Sequence, residues 1–273
     1  MTEQEATGKV QKSISGILSG TGSIVTGTAD VVRDVTVTAL TDVGDVAKSL
    51  TSTAGGVISG ALSAVQEAGT GAVRTVKGVV VGLLEGVGEV ATLTVGIISD
   101  TVRAAFKGTR DIGVDLTKTA GAVAEGVITA TKDTGLSLTE GAVALGTAAV
   151  RGVKDVSADV IGVASSTVSG AAVGAAEIGA DVLEAIKGTA KGIVTGAGEV
   201  GGDIADATSG ALSGAISGAK KVGLSAENAV QAAAEGALEA AEGIGESAVH
   251  AVRDVAASGV EGVKATLKGE QDT

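Results

Sequence analysis

An 11-residue repeat runs the length of the chain without a slip, and it limits the fold more than any local motif does. Basic-acidic pairs mark it: Arg33-Asp34, Arg110-Asp111, Lys132-Asp133, Lys154-Asp155 and Arg253-Asp254, each basic residue standing at a multiple of 11. The 273 residues hold 24 repeats and 9 further residues, read as one continuous repeat region from 1 to 273. With Arg33 and Lys154 at position 11, position 10 holds only Val, Ala, Thr or Ile in all 24 copies. Position 2 is mostly Val or Ile, and positions 6 and 7 carry larger aliphatics such as Leu83, Leu84, Ile128 and Ile193. Charge avoids these positions: 17 of the 20 Lys and Arg lie at positions 4, 8 and 11.

Eleven residues in three turns is close to the α-helical period and advances about 98° per residue. On that wheel positions 5, 9, 2, 6, 10, 3 and 7 form an apolar arc of roughly 200°, and positions 11, 4, 8 and 1 fill the polar remainder. A strand would alternate at period 2, which the adjacent apolar pairs 2-3 and 6-7 forbid. The expected fold class is therefore all-α: one or a few very long amphipathic helices, nearly straight or weakly right-handed in their packing, with no globular core. Folding back into hairpins at Gly-rich points such as Gly55-Gly56 or Gly201-Gly202 is the alternative. The stripe expected to meet other helices or lipid is represented by Val57, Val79, Val123, Val127, Val153, Val156, Leu183, Ile193, Val252 and Val263.

The 44 glycines oppose this period, because Gly in a helix interior costs about 1 kcal/mol against Ala. Such a helix needs its apolar face covered to persist in water. Many glycines fall at positions 5 and 9, making pairs four apart: Gly82-Gly86, Gly170-Gly174, Gly192-Gly196 and Gly214-Gly218. Small residues four apart form a shallow ridge on which a second backbone can lie closely. From Asp159 to Gly236 position 5 also alternates between a polar residue and Gly, a 22-residue super-period that a partner could read.

Composition removes several classes of function. The chain has no Cys and no Pro, and Phe106 is its one aromatic residue. A thiolate metal site and base stacking are excluded, and a net charge of −12 opposes phosphate binding, so no nucleic-acid partner is expected. The single histidine, His250, stands at polar position 8, and no Ser-His-Asp arrangement can be built. Gly196-Ala197-Gly198-Glu199-Val200-Gly201 matches GxGxxG, but it lies inside the helical repeat and does not follow a strand. Carboxylates at position 1 recur about 16 Å apart along a helix, too far for paired acid-base work. No enzyme activity, cofactor or metal is expected. The acidic N-terminus lacks an apolar h-region, so no secretory signal is read, and an intracellular place is expected, with a membrane or granule surface as the alternative.

The segments Thr109-Arg110-Asp111-Ile112-Gly113-Val114-Asp115-Leu116-Thr117-Lys118-Thr119 and Ala130-Thr131-Lys132-Asp133-Thr134-Gly135 resemble the Thr/Val/Gly-rich 11-residue repeats of perilipin-type lipid-droplet coat proteins. Synuclein-like and late-embryogenesis-abundant repeats share the period. The resemblance implies a helix lying along a lipid surface. This chain departs from it in its acidic balance, its Ala and Gly content and its lack of aromatic anchors. Three functional readings follow. The first is a structural protein that self-assembles through broad Val/Ala/Gly faces into a bundle, sheet, filament or tube, its partner being itself. The second is a peripheral coat on a lipid droplet, granule or membrane. The third is a late-embryogenesis-abundant-like protectant, which a mean hydropathy of +0.42 opposes.

Overall fold

The computed structural model of the chain describes residues 3–18, 24–41, 56–58, 60–61, 63–64, 72–111, 113–156 and 158–258. Among the described residues there are twelve helices and no strand. They are α1 (Glu3–Leu18), α2 (Ile24–Thr41), α3 (the helical residues 56–58, 60–61 and 63–64), α4 (Ala72–Val90), α5 (Val95–Asp111) and α6 (Leu116–Thr134). The series continues with α7 (Leu138–Val156), α8 (Val160–Glu177), α9 (Val182–Val200), α10 (Ile204–Val222), α11 (Ala226–Ile244) and α12 (Glu246–Ser258). From α6 to α11 the helix starts fall every 22 residues, so two sequence repeats make one helix and one turn.

The turns have a fixed chemistry. Asp159, Asp181 and Asp203 sit in extended backbone ahead of α8, α9 and α10, and each carboxylate accepts from two of the first N–H groups of its helix. Asp115 and Ser225 cap α6 and α11 through one N–H each. Ahead of α7, Ser137 Oγ accepts from the Glu140 N–H at 3.2 Å while the Glu140 carboxylate accepts from the Ser137 N–H at 3.4 Å, a reciprocal capping box. The opposite ends close on glycine. Gly135 and Gly201 adopt φ of 73° and 64°, a left-handed conformation costly for other residues, and Gly113, Gly179 and Gly223 repeat it. Beyond them the N–H groups of Ala180, Gly202 and Leu224 return to the carbonyls of Ala175, Ala197 and Ala219 at 2.8–2.9 Å.

These caps correct the expectation of very long helices without a core. A helix of 19 residues spans about 28 Å, and the chain then reverses. Each three-residue connection falls at positions 3 to 5, so the apolar phase passes through the turn unbroken. The repeat is continuous in sequence while the helix is not. Helices two apart in the chain are the closest neighbours, α7 with α9, α8 with α10, α9 with α11 and α2 with α4. The result is two layers, α1, α3, α5, α7, α9 and α11 in one and the even-numbered helices in the other. Neighbours within a layer run parallel, and successive helices cross between layers. Each helix touches only its near neighbours, the organisation of a repeat solenoid.

A continuous apolar core lies between the layers. Position 10 is buried in every described repeat, from Val10 and Val32 through Val153 and Ile186 to Val252. Its threonines are buried without cost, because Thr109 and Thr208 donate their hydroxyls to the carbonyls of Ala105 and Ile204, four residues earlier, at 2.7 Å. Phe106 is 1% exposed and lies against Gly152 of α7, where a side chain would strike its ring.

Candidate assembly surface

Within a layer the glycines determine how close the helices come. A β-carbon built on Gly170, Gly192 or Gly214 would fall within 3.0 Å of the carbonyl oxygen of Gly121, Val143 or Ser165. One turn further, Gly174 and Gly196 face the carbonyls of Glu125 and Thr147 at 2.9 Å, and Gly218 lies against Ser169 and Ala172. Gly126 and Gly236 meet the carbonyls of Lys77 and Lys187 in the same way. The register is constant: each of these glycines faces the carbonyl 49 residues back, and position 5 meets position 11 while position 9 meets position 4. Gly60, Gly82 and Gly86 instead face Thr7, Ala29 and Arg33, 53 residues back and one helical turn further. That shift matches the spacing of α2 and α4, whose starts lie 48 residues apart where α4 and α6 lie 44 apart.

The ridge glycines singled out from the sequence, Gly82, Gly86, Gly170, Gly174, Gly192, Gly196, Gly214 and Gly218, are thus all placed against the helix two before their own. Of the apolar stripe, Val57, Val79, Val123, Val127, Val153, Ile193 and Val252 are at most 2% exposed inside the chain, and Leu183 is half-buried against the same core. The side chain of Val156 and all of Val263 lie outside the described residues. Arg110, Lys132, Lys154, Asp155 and His250 are exposed. Gly192→Ala therefore opposes about 1 kcal/mol of helix propensity with a backbone clash. Chemical denaturation should show it about 1–3 kcal/mol less stable, whereas Gly8→Ala, with nothing within 4 Å of the added carbon, should be neutral or gain up to about 1 kcal/mol. Equal effects at the two sites would deny the ridge its packing role.

A ladder of ion pairs runs across the same helix pairs. In one layer Arg103 meets Asp155 at 2.8 Å, Arg151 meets Glu199 at 2.6 Å, and Lys187 and Lys191 meet Glu239 at 2.5 and 3.2 Å. In the other Arg33 meets Glu89 at 3.6 Å, and Lys77 reaches both Glu125 and Glu177, at 3.4 and 2.5 Å. The base always belongs to the earlier helix and the acid to the later one. Hydrogen bonds from Lys187 and Lys191 hold the Glu239 carboxyl below its ordinary range, and the bond to Glu239 raises Lys187. Burial instead raises the Glu125 carboxyl, against the lowering charge of Lys77. Exposed pairs of this kind stabilise little, but their order fixes which neighbour fits.

The surface offers no site for chemistry among the described residues. The largest groove, about 410 Å³ between α5, α7 and α9, is lined by Ser99, Thr139, Thr147, Arg151, Lys191 and Glu199, and its cations already hold carboxylates. No three His, Asp or Glu side chains among the described residues are placed to hold a metal ion. Large exposed apolar side chains among the described residues are few and scattered: Val73, Val95, Ile161, Leu224 and Ile244. Helix α8 is long and apolar enough by composition to cross a membrane, yet 56% of it is buried among other helices.

Sequence reading missed the ladder and the turns. The turns had a visible signal, the alternation of Asp with Gly at position 5: the Asp caps a helix and the Gly sits at its middle. The ladder had none, because its partners lie 48 or 52 residues apart and only the fold brings them together. No protein-family model and no curated protein matches this chain.

Proposed function

We propose that this chain is a non-enzymatic structural protein that assembles with itself. The observation that carries the reading is the uniform helix-to-helix register, in which Gly at positions 5 and 9 meets the backbone of the helix two before, with the same charge order at each step. An interface repeated so regularly within a chain can be continued by the helices of another copy without new chemistry. The broad apolar faces are used between helices of one chain, so association falls to the flanks of the layers. The scattered exposed aliphatics support this reading over a lipid coat, which needs a contiguous apolar surface. A lipid coat draws support from the composition of α8 and would require the layers to open.

Sedimentation velocity over a concentration series, with electron microscopy and circular dichroism in the presence and absence of phosphatidylcholine vesicles, tests the proposal. Concentration-dependent oligomers without lipid, at unchanged helicity, are the expected result. A monomer at every concentration would overturn it, and helicity gained only on vesicles would transfer the function to lipid.

A further inference from the structure

We infer that copies join head to tail, the flank of α11 in one copy receiving α1 of the next, through a joint whose charge order is the reverse of every internal one. This rests on the self-assembly reading above and names the surfaces involved.

Internal steps of this layer place a base on the earlier helix and an acid on the later. Lys187 and Lys191 of α9 supply the bases facing α11, while Asp155 of α7 and Glu199 of α9 occupy position 1 and accept from the helix before. The end helices depart from this order at the equivalent places. In α11, Gln231 and Glu235 stand where α9 has Lys187 and Lys191, and Glu242 follows on the same flank. All three are exposed. In α1, position 1 is Lys12, where α7 has Asp155 and α9 has Glu199, and Lys9 lies beside it. Both lysines are exposed.

Neither end suits an internal-type partner, since a base facing Lys12 or an acid facing Glu235 would repel it. They suit each other. The acidic flank of α11 and the basic flank of α1 belong to the same layer, so joining them extends that layer in the parallel sense of its internal steps. The reversed polarity also makes the joint selective. An end helix pairs with the opposite end of another copy and not with an internal flank, which keeps each copy in register.

Two substitutions and their combination test this by sedimentation velocity at low and high salt, with circular dichroism to verify folding. Lys12→Glu sets acid against acid, and Gln231→Lys sets base against base. Each is expected to weaken association about tenfold or more at low salt, and the double variant to recover it, because the joint then has the internal polarity. Association equal to the parent in both single variants would overturn this joint while leaving self-assembly standing. A parent that never associates would overturn both. Singles that weaken without recovery in the double would show the two residues not to face each other, and the joint would fall.

Discussion

Val127→Asp should unfold the middle of the molecule. Val127 is fully buried in α6, within the core cluster that joins both layers. A carboxylate there has no cation to meet, and burying an unpaired charge costs several kcal/mol, a large part of the 5–15 kcal/mol that holds an ordinary domain folded. The group escapes part of this cost by taking up a proton, so its folded-state pKa rises above the ordinary carboxylate value. The defect is then fully expressed above that raised pKa and relieved as pH falls through it. Urea denaturation followed by circular dichroism at pH 7 and at pH 4.5 should show a loss of more than about 3 kcal/mol at the first and a smaller loss at the second. Lys132→Ala, on the exposed edge, should stay within about 0.5 kcal/mol of the parent at both. Equal behaviour of the two variants would mean that position 10 and its neighbours form no dry interior.

Duplicating repeats should separate the sequence period from the structural one. Amphipathic phase alone would make an added 11-residue repeat harmless. The fold says otherwise. A second copy of Asp133 to Val143 inserts a turn and about half a helix, too short to cross its layer, and moves every later helix out of its place. Duplicating the 44 residues from Asp159 to Gly202, which comprise α8, α9 and their caps, adds one helix to each layer and keeps both the Gly register and the charge order. The 44-residue insertion should melt at or above the parent temperature, and the 11-residue insertion at least about 10 °C lower, since a loss of several kcal/mol moves Tm by roughly 2–4 °C per kcal/mol at this size. Calorimetry that found the two insertions equal would return the chain to a continuous-helix description.

Both results turn on what an amphipathic repeat reveals. The stripe at position 10 was legible because burial and helical period leave the same mark whatever covers the face. What covers it was not legible, since another copy, lipid or the same chain all present an apolar surface to Val127 and Ile193. The close approach at Gly192 and Gly214 could be anticipated from their spacing, but its partners, the carbonyls of Val143 and Ser165, required the topology. The turns escaped notice for a physical reason. Asp181 and Gly201 interrupt the hydrogen-bonded helix without disturbing the 11-residue count, so hydrophobic periodicity runs past them as though nothing had changed.

The confinement of contacts to near neighbours has a mechanical consequence. A chain pulled from its two ends would not resist as a single block, because no described helix ties the first part of the molecule to the last. Load would reach the interfaces in series, and helices would peel away singly, each release paying out about 7 nm of extended chain for its 22 residues at roughly 3.4 Å apiece. Because the released helix keeps its capping residues and its glycine ridge, it can seat again on the exposed flank when tension drops. Such an element lengthens under load in even steps and recovers them one at a time, as a ratcheted spring does.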